Sequence, residues 1–102
     1  MKLFGDRAKR ITTSEMNLVY GQIRDRLSTC FSEIKLSNSL KSKDSHGDID
    51  IVVLNDKGMD VNSVLKDTLA VDIIDYSKNG NIYSILYHSD KINENVHIDF
   101  LT

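Results

Sequence analysis

His46-Gly47-Asp48-Ile49-Asp50-Ile51-Val52-Val53 is the stretch on which the fold turns. On a β-strand, side chains at i and i+2 leave the same face. Ile49, Ile51 and Val53 therefore share one side, and Asp48 and Asp50 share the other with Val52 and Leu54. A second apolar run, Val96-His97-Ile98-Asp99-Phe100, repeats the pattern with one acid. Its Val96, Ile98 and Phe100 face a core, which leaves Asp99 on the opposite side. If the two strands lie side by side, three carboxylates form one cluster.

Working outward, Thr12-Thr13-Ser14-Glu15 carries a capping box, with Thr12 as the cap and Glu15 three positions on. Met16, Val19, Tyr20, Ile23, Leu27, Cys30, Phe31 and Ile34 follow at helical spacing, the stripe of an amphipathic helix packed on something flat. Ile34-Lys35-Leu36 predicts a short strand, and 37–47 a polar loop or weak helix. After the 48–54 strand and a turn at Asn55-Asp56-Lys57-Gly58, Asp60 caps a second helix carrying Val61, Val64, Leu65 and Leu69. Residues 71–76 and 82–88 are strands about an Asn79-Gly80 hairpin turn, 89–95 turns again, and 96–101 is the last strand. The expectation is an α+β fold, a mixed β-sheet with helices packed on one face. Residues 1–12 are a basic N-terminal arm or a lead-in, and 13–102 form the domain.

The 102 residues suit one small domain with one core, and 40 % hydrophobic with 27 % charged residues is ordinary for a globular protein. No apolar run approaches membrane-spanning length, and the charged Met1-Lys2-Leu3 start lacks a signal core, so a cytoplasmic protein without membrane contact is expected. Cys30 is alone and lies on the apolar helix stripe, which reads as a buried thiol. Net charge is only −2, yet 1–43 hold nine Lys/Arg against four Asp/Glu and 44–102 hold four against eleven. An anionic substrate and a metal cation would each find a matching half.

Asp48, Asp50 and Asp99 offer hard oxygen ligands, which suits Mg2+: it keeps several waters and completes its shell from substrate phosphates. Two ions, Mg2+ or alternatively Mn2+, would orient an attacking oxygen and stabilise a leaving pyrophosphate, with Asp99 placed to accept the attacking proton. An EF-hand is excluded because its order of acids, glycine and closing glutamate is absent from 44–56. One cysteine without paired histidine spacing speaks against zinc. There is no P-loop or Rossmann glycine pattern. His46 precedes the motif, His97 shares a face with Asp99, and Tyr83 and Tyr87 are weighed as base-stacking aromatics against an ordinary core role.

Ser39, eight intervening residues, Asp48-Ile49-Asp50-Ile51 and the late Asp99 together resemble the DNA polymerase beta-type nucleotidyltransferase superfamily. The resemblance spans about 13–102. It implies a nucleotidyltransferase-like catalytic domain in which Asp48 and Asp50 bind catalytic metals and Asp99 serves the second. It also implies that Ser39 bonds the terminal phosphate of a nucleoside triphosphate such as ATP, with Lys41 and Lys43 as nearby phosphate contacts. Asn38 stands where the family carries glycine, and asparagine tolerates the left-handed backbone better than most residues.

The activity so implied is Mg2+-dependent transfer of a nucleoside monophosphate to a hydroxyl, with release of pyrophosphate. The acceptor would be an RNA or DNA end, a protein or a small molecule. The alternatives are a non-catalytic module that binds nucleotide or protein, and a toxin–antitoxin-type protein adenylyltransferase. The family usually adds helices after its sheet, so the chain is expected to be a minimal member, with a partner protomer supplying the missing walls, or a fragment lacking its C-terminal helical region.

Overall fold

The computed structural model describes residues 4, 7–36, 45–55, 58, 60–69 and 72–102. It begins with β1 (Ile11–Thr12) and α1 (Thr13–Leu27). The Thr12 hydroxyl accepts from the Glu15 amide at 3.2 Å, and the Glu15 carboxylate accepts from the Thr12 amide at 2.9 Å. This is the capping box read from the sequence. Met16, Val19, Ile23 and Leu27 are the buried stripe of α1. The helix ends before the stripe does. The amides of Cys30 and Phe31 both return to the Leu27 carbonyl, a turn that still delivers Phe31 to the core.

β2 (Glu33–Leu36), β3 (Ser45–His46) and β4 (Ile49–Leu54) follow, then α2 (Val61–Leu69), β5 (Ile73–Asn79), β6 (Ile82–Ser89) and β7 (Glu94–Leu101). Asp60 caps α2, accepting from the Asn62 amide at 3.2 Å and the Ser63 hydroxyl at 3.0 Å. Five strands form a mixed sheet in the order β2-β4-β7-β6-β5. Every neighbouring pair is antiparallel except β4 and β7, which run parallel. A parallel pair needs a crossover, and everything from α2 to β6 lies within it.

Ile49, Ile51, Val53, Ile85, Tyr87, Val96, Ile98 and Phe100 line one sheet face and join the buried stripes of α1 and α2 in a single core. Each such side chain contributes on the order of 1.5–3 kcal/mol when fully buried. With both helices on that face, Asp50, Val52, Leu54, Asp99 and Leu101 point from the other.

Three expectations are corrected. Ser45–His46, which the polarity of 37–47 had marked as loop or weak helix, is a strand, paired antiparallel with Ile11–Thr12 just before α1. The strand read at 71–76 extends to Asn79, and the hairpin turn is Gly80-Asn81, with Gly80 at φ 62°. The connection before β7 spans 90–93 and uses Asn93 at φ 55°, the left-handed region that asparagine tolerates.

Candidate functional site

Register decides the site. In the parallel β4–β7 pair, Ile49 lies beside Ile98 and Asp50 beside Asp99. The alternation that buries the two isoleucines turns both aspartates to the opposite face. Asp48, immediately before β4, projects on the same side as Asp50 two residues on. One carboxylate oxygen from each of Asp48, Asp50 and Asp99 lies within 4.8 Å of the others, and all three residues are partly buried. Among the described residues this is the one group of three metal-capable side chains.

The rest of the open face supports Asp99. β6 brings Ser84 level with it, and the Ser84 hydroxyl donates to Asp99 Oδ1 at 2.6 Å. His97 Nε2 donates to the same oxygen, also at 2.6 Å. The Phe4 ring, itself buried, meets His97 edge-on with centroids 4.9 Å apart. The N-terminal segment thus crosses the open face: the Lys9 amide bonds the Asn95 carbonyl at 2.7 Å, and Arg7 pairs with Asp75 on β5. The Arg10 guanidinium packs on Gly47, 3.3 Å from where a side chain there would begin. A cation therefore lies next to the acid motif.

The proton affinities of the cluster diverge. Burial, then the charges of Asp48 and Asp99, push the Asp50 carboxyl above the usual carboxylate range. Burial also pushes Asp99 up, but hydrogen bonds from His97 and Ser84 outweigh it and hold Asp99 below that range. Burial pulls His97 down, yet its bond to Asp99 and the surrounding carboxylates leave it raised. Asp50 is thus held up and Asp99 held down, although the two lie side by side across the strand pair.

Two like charges about 4 Å apart repel by up to about 4 kcal/mol at an effective dielectric near 20, and less where water screens them. A protonated His97 offsets one of the three acids at most. The all-oxygen donor set, crowded and under-neutralised, fits a hard divalent cation of the Mg2+ or Mn2+ type.

Of the residues singled out from sequence, Asp48, Asp50 and Asp99 are brought together and His97 joins them. Asn38, Ser39, Lys41 and Lys43 lie outside the described residues, as does the His46 side chain. Tyr83 and Tyr87 belong to the helix side: Tyr87 is fully buried there, and Tyr83 lies level with Phe100 under the Lys78 ammonium, 5.3 Å from its ring centre. Neither can stack a base over the acids. Ser84 and Phe4 escaped the sequence reading. Ser84 is a lone polar residue within an apolar run, and only the β6–β7 register reveals its partner.

Among the described helices, none is long and apolar enough to cross a membrane. Comparison with protein-family models and with curated proteins gives no match for this chain.

Proposed function

We propose that this domain is a nucleotidyltransferase-like enzyme that moves a nucleoside monophosphate from a nucleoside triphosphate to a hydroxyl, with Mg2+ as cofactor. The observation that carries this is the convergence of Asp48, Asp50 and Asp99 on the helix-free face of the sheet. Adjacent parallel strands hold two of these acids in register, a rigid platform for groups that must keep fixed separations. Bound divalent cations would supply charge neutralisation of the polyphosphate and orientation of the attacking oxygen.

In this scheme Asp48, Asp50 and Asp99 would hold the divalent cations, with Asp99 on the side of the acceptor hydroxyl. The hydroxyl oxygen forms a bond to the α-phosphorus, the bond from that phosphorus to the bridging oxygen breaks, and pyrophosphate leaves. The hydroxyl proton passes to the Asp99 carboxylate. Arg10, against Gly47, is suitably placed to offset polyphosphate charge. One pleat beyond Asp50, a shallow groove of about 260 Å3 is lined by Lys35, Val52 and Leu54. Val52 and Leu54 are 39 % and 49 % exposed, so they offer base or acceptor an open apolar wall.

Incubation with each of four α-labelled triphosphates, Mg2+, and RNA, DNA or cell-extract acceptors tests the proposal. Label should reach an acceptor, with loss in EDTA and in Asp48→Ala. Absence of transfer to every acceptor with every nucleotide contradicts it, and a Mg2+-dependent thermal shift with triphosphate but no transfer would leave a binding module.

A further inference from the structure

Asp99 is held in an unusual way for a surface-facing acid. Both of its strong donors, Ser84 Oγ and His97 Nε2, are 2.6 Å from the same oxygen, Oδ1. They reach it from different directions, Ser84 from the neighbouring strand β6 and His97 from two residues back on β7. A carboxylate oxygen has two in-plane lone pairs, so two donors fill Oδ1 and leave Oδ2 as the oxygen with capacity for a cation. Neither donor belongs to the acid motif.

The His97 ring is fixed in turn. Its side chain is only 15 % exposed, and Phe4 closes on it with an interplanar angle of 80°. With Asp99 accepting, Nε2 must carry the hydrogen, so the contact also sets the tautomer. The arrangement is the carboxylate–histidine support often found behind metal ligands, here turned so that histidine supports the carboxylate.

We propose that Ser84 and His97 are positioning residues that pin Oδ1 of Asp99 and so present Oδ2 to the divalent cation, with Phe4 holding the His97 ring. The assignment rests on the three acids binding a cation, as proposed above. Neither residue touches substrate, and both act through Asp99.

Manganese binding by the whole chain, followed by electron paramagnetic resonance of free Mn2+ without nucleotide, separates the possibilities. Ser84→Ala and His97→Leu should each weaken Mn2+ binding by about 10–100-fold. His97→Gln, whose amide nitrogen can donate from a similar position, should recover most of it. A merely structural histidine would lower thermal stability in both His97 variants without moving Mn2+ affinity. Wild-type affinity in both Ser84→Ala and His97→Leu overturns this assignment and leaves the cation site standing. Absence of Mn2+ binding in the wild type overturns both. Should His97→Leu fail to fold, Ser84→Ala decides alone, since it removes one oxygen and adds no bulk.

Discussion

Asp50 and Asp99 stand as register partners across the parallel β4–β7 pair, while their neighbours Ile49 and Ile98 are both completely buried on the other face. The packing of the isoleucines therefore enforces the approach of the acids. The strands cannot slip by one residue without moving both apolar sets into water. Stability and crowding of charge are built from the same register.

This predicts a trade between stability and binding. Asp50→Asn removes one charge from the cluster and keeps the shape, so in EDTA it should stabilise the fold by about 1 kcal/mol, or roughly 4–8 °C in Tm for a domain of this size. Mg2+ should raise the Tm of the wild type and not that of the variant. A thermal melt showing Asp50→Asn less stable than wild type in EDTA would contradict the repulsion argument.

The pH profile of the metal-free protein follows from three shifts. Asp99 is held below its ordinary 3.8, so its contribution is complete above that value and is lost as pH falls through the lowered one. His97 is held above its ordinary 6.5, so its contribution is complete below that value and fades as pH rises through the raised one. Asp50 is raised, so the folded state keeps a proton the unfolded chain has released, and stability falls as pH climbs through its raised value. Stability in EDTA should fall as pH drops below 3.8 and decline as pH rises above 6.5, where Mg2+ should restore it. A profile that keeps rising to pH 8 in EDTA would count against these shifts.

Removing the N-cap tests the helix that roofs the core. Thr12→Ala deletes the hydroxyl that accepts from Glu15 and should cost about 1 kcal/mol in urea denaturation. Ile98→Ala, at a fully buried position beside both His97 and Asp99, should cost about 2–5 kcal/mol. Arg7→Ala breaks an exposed ion pair with Asp75 and a cation–π contact with Phe4, and should lower stability far less than Ile98→Ala. A loss for Arg7→Ala comparable to that of Ile98→Ala would mean that the N-terminal segment, not the core, dominates stability.

Much of this was legible in one dimension because it depends on alternation. Asp50 and Asp99 each sit between residues that must be buried, and Asp48 shares a face with Asp50, so their common face follows once β4 and β7 are neighbours. What the sequence hid depends on pairing between distant strands. Ser84 looks like any polar residue in an apolar run until β6 settles level with Asp99. Ile11–Thr12 and Ser45–His46 are too short to show a period, and each is a strand only because the other is there. Cys30 and Phe31 extend the helical stripe beyond the end of α1, since a turn that bonds back to Leu27 buries Phe31 as a further helical turn would.

In the proposed function Asp48, Asp50 and Asp99 together hold a divalent cation. The most direct test is a crystal soaked in MnCl2 and recorded at the manganese absorption edge. An anomalous peak is expected between the three carboxylates, absent from crystals of Asp50→Asn. Crystals whose anomalous map is flat at that position, or whose peaks lie only on other surface acids, would contradict it.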